Sequence, residues 1–393
     1  MLYYYTKDNI KELYYMEEKK TKKKMRLWKR LAIIFTVLLI AVGVGVYVYT
    51  HMEYKHIQVV KNYETKTNGN GKYISFADGI LEYSKDGIAL LTKKGEEIWN
   101  QPCQMGNPMA QVCKEAAVVA DKGGTAIYVF QKSGLKGEIK TTRPIERISV
   151  SEQGVVAAIL QNEETPMIMC YDAKGNVLVE HKASFKNTGY PVDLAISENG
   201  QTLVVSYLGT KGTGISTKVI YYYFGGDEKE KKDYEVLHKE YLDSIAPKTI
   251  FLNQKTSLIV MDNALVFNEG LKNPKEVATV KVKREIESVA YNEKYVALLL
   301  KNSGESGCEL QLYQTSGKQK MNVKLEGEYT SIKLIDEQVV LSDGNKCVIY
   351  RTDGVRKFAG DLEMNVLDIC PIMGMNKYMI ITAKGFQEIR LIK

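Results

Sequence analysis

The chain has 393 residues, 54 of them basic and 47 acidic, for a net charge of +7, with six cysteines and only four histidines. Ten of the basic and four of the acidic residues fall in the first 50 positions, so the remainder carries about +1. That balance excludes nucleic-acid binding through a basic domain face, because the charge would have to lie on the folded domain itself.

In chain order, residues 1–30 read as a basic tail in which a short helix is expected over LYYYTKDNIKELYYMEEKK. Leu31 to Tyr49 then runs 19 positions without a charge, which as a helix spans about 28 Å, the thickness of a bilayer's hydrocarbon core. A secretory signal has a shorter apolar region and ends in small residues, whereas this run leads into Tyr47, Val48 and Tyr49. We therefore expect an uncleaved single-pass anchor over 31–50. Residues 16–30 hold eight Lys or Arg against two in 51–65, which predicts a cytoplasmic N-terminus, a location in the cell membrane and an extracytoplasmic C-terminal part.

Beyond the anchor one kind of segment recurs: a short apolar strand, a polar turn and a second strand, as in YISFADGILEYS and LAISENGQTLVVSYL. Copies begin at Tyr73, Ala110, Ile148, Leu194, Ile250, Val289, Ile332 and Asp368. A Gly turn follows in most of them, at Gly95, Gly134, Gly175, Gly317 and Gly354, and then a further alternating stretch. From Lys72 to Lys393 about 40 residues are available per copy, the length of a four-stranded propeller blade. The expected fold is all-β, a β-propeller of eight four-stranded blades over 72–393; seven blades is the alternative if the weak second or eighth copy is irregular. The last copy has only three recognisable strands, while HIQVVKNYE, within the 51–71 linker, has strand character and no blade of its own. It is predicted to close the ring.

The fourth copy carries GTKGTGIST at 209–217 and the charged DEKEKKDYEVLHKEYL at 227–242. A loop between second and third strands opens on the face of the blade-to-blade connections, where propellers commonly bind ligands. Thr210, Lys211, Thr213 and Ser216 are accordingly the candidate binding rim, with the charged loop expected on the opposite face. Tyr221, Tyr222 and Tyr223 are expected to pack between blades, since successive strand residues point to opposite faces.

The run GYPVDLAISENGQTLVVSYLGTKGTGISTKVIYYYFGG, 189–226, resembles a family of membrane-anchored bacterial propeller proteins of Gram-positive anaerobes, classed only as a domain of unknown function. The resemblance implies one span followed by an extracytoplasmic repeat domain, and it brings no activity.

Catalytic and metal-binding signatures are not found. His51, His56, His181 and His238 have no ligand spacing, and neither a nucleophile elbow nor a phosphate-binding loop is present. No cofactor, metal or catalytic residue is expected. Cys103 and Cys113 flank one blade junction and are a candidate disulfide outside the membrane. KKGEEIWN, with Gly95 and Trp99, is similar to the Gly-to-Trp spacing of quinone-cofactor propeller repeats, but it occurs once and reads as packing. Two function classes follow. One is a non-catalytic binding or scaffold module of the cell envelope, contacting an envelope protein or a wall polymer; the other is a propeller-type enzyme, lyase or quinoprotein-like, whose active residues come from several blades.

Overall fold

The computed structural model describes residues 7–63, 71–162, 165–183, 188–226, 234–302, 307–364, 366–374 and 376–393. The chain divides into two compact units, 1–53 and 54–393.

The first unit is one α-helix, Lys7–Thr50. Basic tail and apolar run form a single helix, not a short helix followed by a span. The sequence has no proline or glycine before Gly43 to interrupt it, and Glu18 and Lys22 pair at 2.6 Å, one turn apart, on an exposed face. The helix is long and apolar enough to cross a membrane, a test that a signal sequence also passes.

The second unit contains eight four-stranded antiparallel sheets, which settles the blade number at eight. In blades one to seven the strands lie in chain order from the inner to the outer edge, over 72–102, 108–140, 145–182, 190–242, 248–281, 286–325 and 331–361. The eighth blade, 368–392, takes its outer strand from the other end of the domain. His56–Tyr63 pairs with Gly385–Ile392, from His56 opposite Ile392 to Tyr63 opposite Phe386. Without that strand the eighth sheet would have three strands and an open edge.

The second strands of the blades are largely buried. All five residues of Val156–Leu160 and of Thr256–Val260 are buried, because both faces of the strand meet neighbouring blades. This is why Val156–Leu160 reads as an unbroken apolar run and not as an alternation. Tyr221 and Tyr222 face opposite ways: Tyr222 belongs to the core between blades three and four, and Tyr221 to that between four and five. Their hydroxyls bond Tyr207 and Ser257, each at 2.8 Å.

The recurrent glycines have one structural reason. In the turn after Thr92 the Gly95 amide donates to the Thr92 carbonyl at 2.9 Å, and the Thr92 amide to the Glu96 carbonyl at 2.8 Å. The same pair of bonds recurs at Asp172–Asn176, Gln314–Lys318 and Arg351–Val355. Gly95, Gly175, Gly317 and Gly354 take φ of +81°, +89°, +77° and +92°, a region that side chains disfavour. Each turn leads into a register shift between third and outer strands, as at Cys170/Tyr171. The turn at Gly134 is tighter, with Gly134 already paired to Gln131.

Three expectations are corrected. Residues 209–217 are mostly not a loop: the strands Thr202–Lys211 and Gly214–Tyr223 pair up to Lys211 opposite Gly214, so only residues 212 and 213 turn. Of the charged stretch, Glu235–Leu242 is the outer strand of blade four, where alternate polar residues suit an edge strand, while 227–233 lie outside the described residues. Cys103 and Cys113 are free thiols. Cys103 precedes the inner strand Pro108–Cys113, and Cys113 ends it. Cys103 packs against the core between blades one and two, whereas Cys113 packs against the core between blades two and three, so the two thiols lie on opposite faces of blade two.

The ring has two distinct faces. One, called here the front, carries the turns between second and third strands and the connections between blades; the back carries the other turns. His56 pairs with the end of the last third strand, and Tyr54 donates its amide to the Lys357 carbonyl at 2.9 Å. The chain therefore joins the ring at the back.

Candidate functional site

On the front, the hairpin of blade four stands out. Its two strands are ten residues each, longer than any other in the ring. Thr210, Lys211 and Thr213 are exposed on this arm, and Lys211 is held by Glu240 of the outer strand at 2.5 Å. Ser216, by contrast, is buried at the arm's root. Beside it, Thr217 donates its hydroxyl to the Ser244 carbonyl at 2.7 Å. The structure thus groups three of the four rim candidates and takes the fourth into the core.

Inside the ring the inner strands of blades two to six line a channel of about 480 Å³. Its polar groups come two or three from each of these blades. Asp193 of blade four accepts from the Thr249 amide of blade five at 2.7 Å and from its hydroxyl at 3.3 Å. The Arg147 Nε of blade three lies 3.8 Å from its other oxygen. Burial pushes the Asp193 carboxyl up despite the opposing pull of these donors and of Lys248. Tyr190 donates to Glu146 across blades four and three at 2.7 Å, and on the far side of the ring Lys333 pairs with the buried Asp368.

Toward the back, the turns after the inner strands contribute Lys114, Glu198 and Glu293. Lys114 pairs with Glu198 at 2.8 Å; that bond raises its pKa against the desolvation that lowers it, and the charges of Glu198, Glu152 and Glu293 add to the rise. Inside this mouth burial pushes the Cys113 thiol up to about 11, and burial with the nearby Asp193 charge pushes the Tyr291 phenol up to about 12. Among the described residues the Tyr291 hydroxyl and the Lys248 ammonium have no hydrogen-bond partner.

None of these channel residues belongs to a linear motif, and reading the sequence for motifs missed them. Their one signal is a charge inside an inner strand that otherwise reads apolar, as in IERISV, YPVDLAI and KTIF. Trp99 packs between blades: it stacks on Phe130 of blade two at 4.9 Å and donates to the Lys132 carbonyl at 3.1 Å. Among the described residues no group of His, Cys, Asp and Glu has the geometry of a metal site.

Residues 50–391 match a profile described as a family of unknown function (DUF5711). No curated protein matches the sequence. Among solved structures, BamB from Moraxella catarrhalis superposes with a TM-score of 0.52 at 11% identity, covering 86% of this chain and 98% of that one. Sqt1 from Saccharomyces cerevisiae gives 0.52 at 14% identity, covering 87% and 100%. At these identities the likeness is one of fold alone.

Proposed function

The chain belongs to DUF5711, and because no activity comes with that family, we propose a function from the ring itself: a binding or scaffold module, anchored by its N-terminal helix, that offers the front of the propeller to an envelope protein or a wall polymer outside the cytoplasm. The observation that carries this reading is the arm of blade four. It extends past the other hairpins on the face opposite Tyr54, with Thr210, Lys211 and Thr213 open to a partner. The basic flank at 16–30 supports the orientation.

The convergence of Cys113, Asp193 and Tyr291 in one channel is what a propeller-type enzyme would need. The shifts of the thiol and the phenol speak against it. A thiol at about 11 and a phenol at about 12 stay protonated near neutral pH, so neither is a ready nucleophile or base. The same groups are well suited to donate hydrogen bonds to something bound.

The test is crosslinking in the native cells with a membrane-impermeant reagent, followed by capture of the full chain. A variant in which residues 210–215 are replaced by an Asn-Gly turn keeps Gly209 opposite Ser216 and should preserve the ring. We expect a specific envelope partner that this variant loses. An unchanged partner set would remove the arm, and failure of the reagent to reach the ring would remove the orientation.

A further inference from the structure

The charges of the channel are sorted along its axis. Among the residues that line it, Arg147 and Lys248 lie toward the front with Asp193 the one acid, while the neighbouring Glu146 carboxylate, outside the lining, is held by the Tyr190 hydroxyl. At the back mouth are Glu198 and Glu293, with Lys114 the one base. The front half therefore carries a net positive charge and the back a net negative one, and Glu152 beside Lys114 deepens the latter. Between the two levels lies most of an inner strand, about 15 Å at the usual rise. The wall between them offers the Tyr291 hydroxyl and the Gln111 amide.

We propose that this channel binds a short peptide with free termini, end-on, its ammonium at Glu198 and Glu293 and its carboxylate at Arg147 and Lys248. Charge complementarity sets the direction, since both ends of a reversed peptide would meet like charge. Length follows from the separation of the charges. Four extended residues span about 14 Å, so a tetrapeptide reaches both ends and a free amino acid reaches one. The Tyr291 hydroxyl supplies a donor for a backbone carbonyl on the way. The inference adds a ligand to the binding reading above but does not involve the arm, so either can fail alone.

The experiment is isothermal titration calorimetry on the full chain in detergent at low salt, with tetra-alanine as the probe. We expect saturable one-to-one binding, weakened about tenfold or more by N-acetylation, by C-amidation, or by replacing the peptide with free alanine. Arg147→Gln should abolish the penalty for amidation and leave that for acetylation; Glu293→Gln should do the converse. Arg147 also contacts the Glu146 carbonyl at 3.0 Å, so Lys248→Gln, which breaks no hydrogen bond, serves as the second carboxylate-end variant. Absence of saturable heat, or equal binding of the free and doubly blocked peptides, would overturn the proposal. So would alanine binding as tightly as tetra-alanine.

Discussion

Trp99 is one of the side chains that join blades one and two. Trp99 covers Phe130 with rings 5° from parallel, and Trp99→Ala should destabilise the domain by about 2–3 kcal/mol. The chain has only one other tryptophan, Trp28, so in a Trp28→Phe background the fluorescence of Trp99 reports ring unfolding directly. Gly137 is a sharper case, because a Cβ there would meet the Ala173 carbonyl oxygen of blade three at 1.9 Å. Gly137→Ala must push two backbones apart, and we expect a larger loss than for Trp99→Ala in the same urea titration. Asp193 gives a pH signature. Its folded pKa is raised above the ordinary 3.8, so its contribution to stability is fully present below about pH 4 and is lost as pH rises through the raised value. The melting temperature of the native chain, relative to Asp193→Asn, should therefore fall between pH 4 and pH 8; a flat difference would contradict the burial account. Trp99 was legible as packing because its motif occurs once. Asp193 was not legible as a channel residue, because what makes it one is a neighbouring blade some 50 residues away.

Among the elements, His56–Tyr63 has the most consequence for so exposed a strand. Only Ile57 and Tyr63 are even partly buried, yet it supplies the outer edge of the eighth sheet. Deleting 56–63 should abolish cooperative thermal unfolding of the ring; a variant melting as the full chain does would show the closure to be dispensable. Most of the architecture was readable from the chain because each blade repeats the same local chemistry, an apolar second strand followed by a turn that needs glycine. Reading failed where strand and loop share a composition. Gly209 to Thr217 is rich in Gly and Thr, as turns are, but ladder pairing with the rest of blade four holds most of it in register. Glu235–Leu242 is charged enough to pass for a loop, yet its apolar residues Val236, Leu237 and Tyr241 pack against the core between blades four and five. Neither outcome follows from local preference, because the partner strand decides both.

At the scale of the molecule, the chain joins the ring at the back while the arm stands at the front. If the helix is anchored and a partner holds the arm, any pull between them passes through the whole domain. It enters at His56 along the axis of that strand, away from the direction in which the strand runs. Force applied this way acts in shear, so the hydrogen bonds between His56–Tyr63 and Gly385–Ile392 are strained together and not opened one after another. The last blade then behaves as a mechanical fastener, and a ring pulled along that strand should withstand tugging far better than one pulled at right angles to it, where the same bonds would unzip in turn.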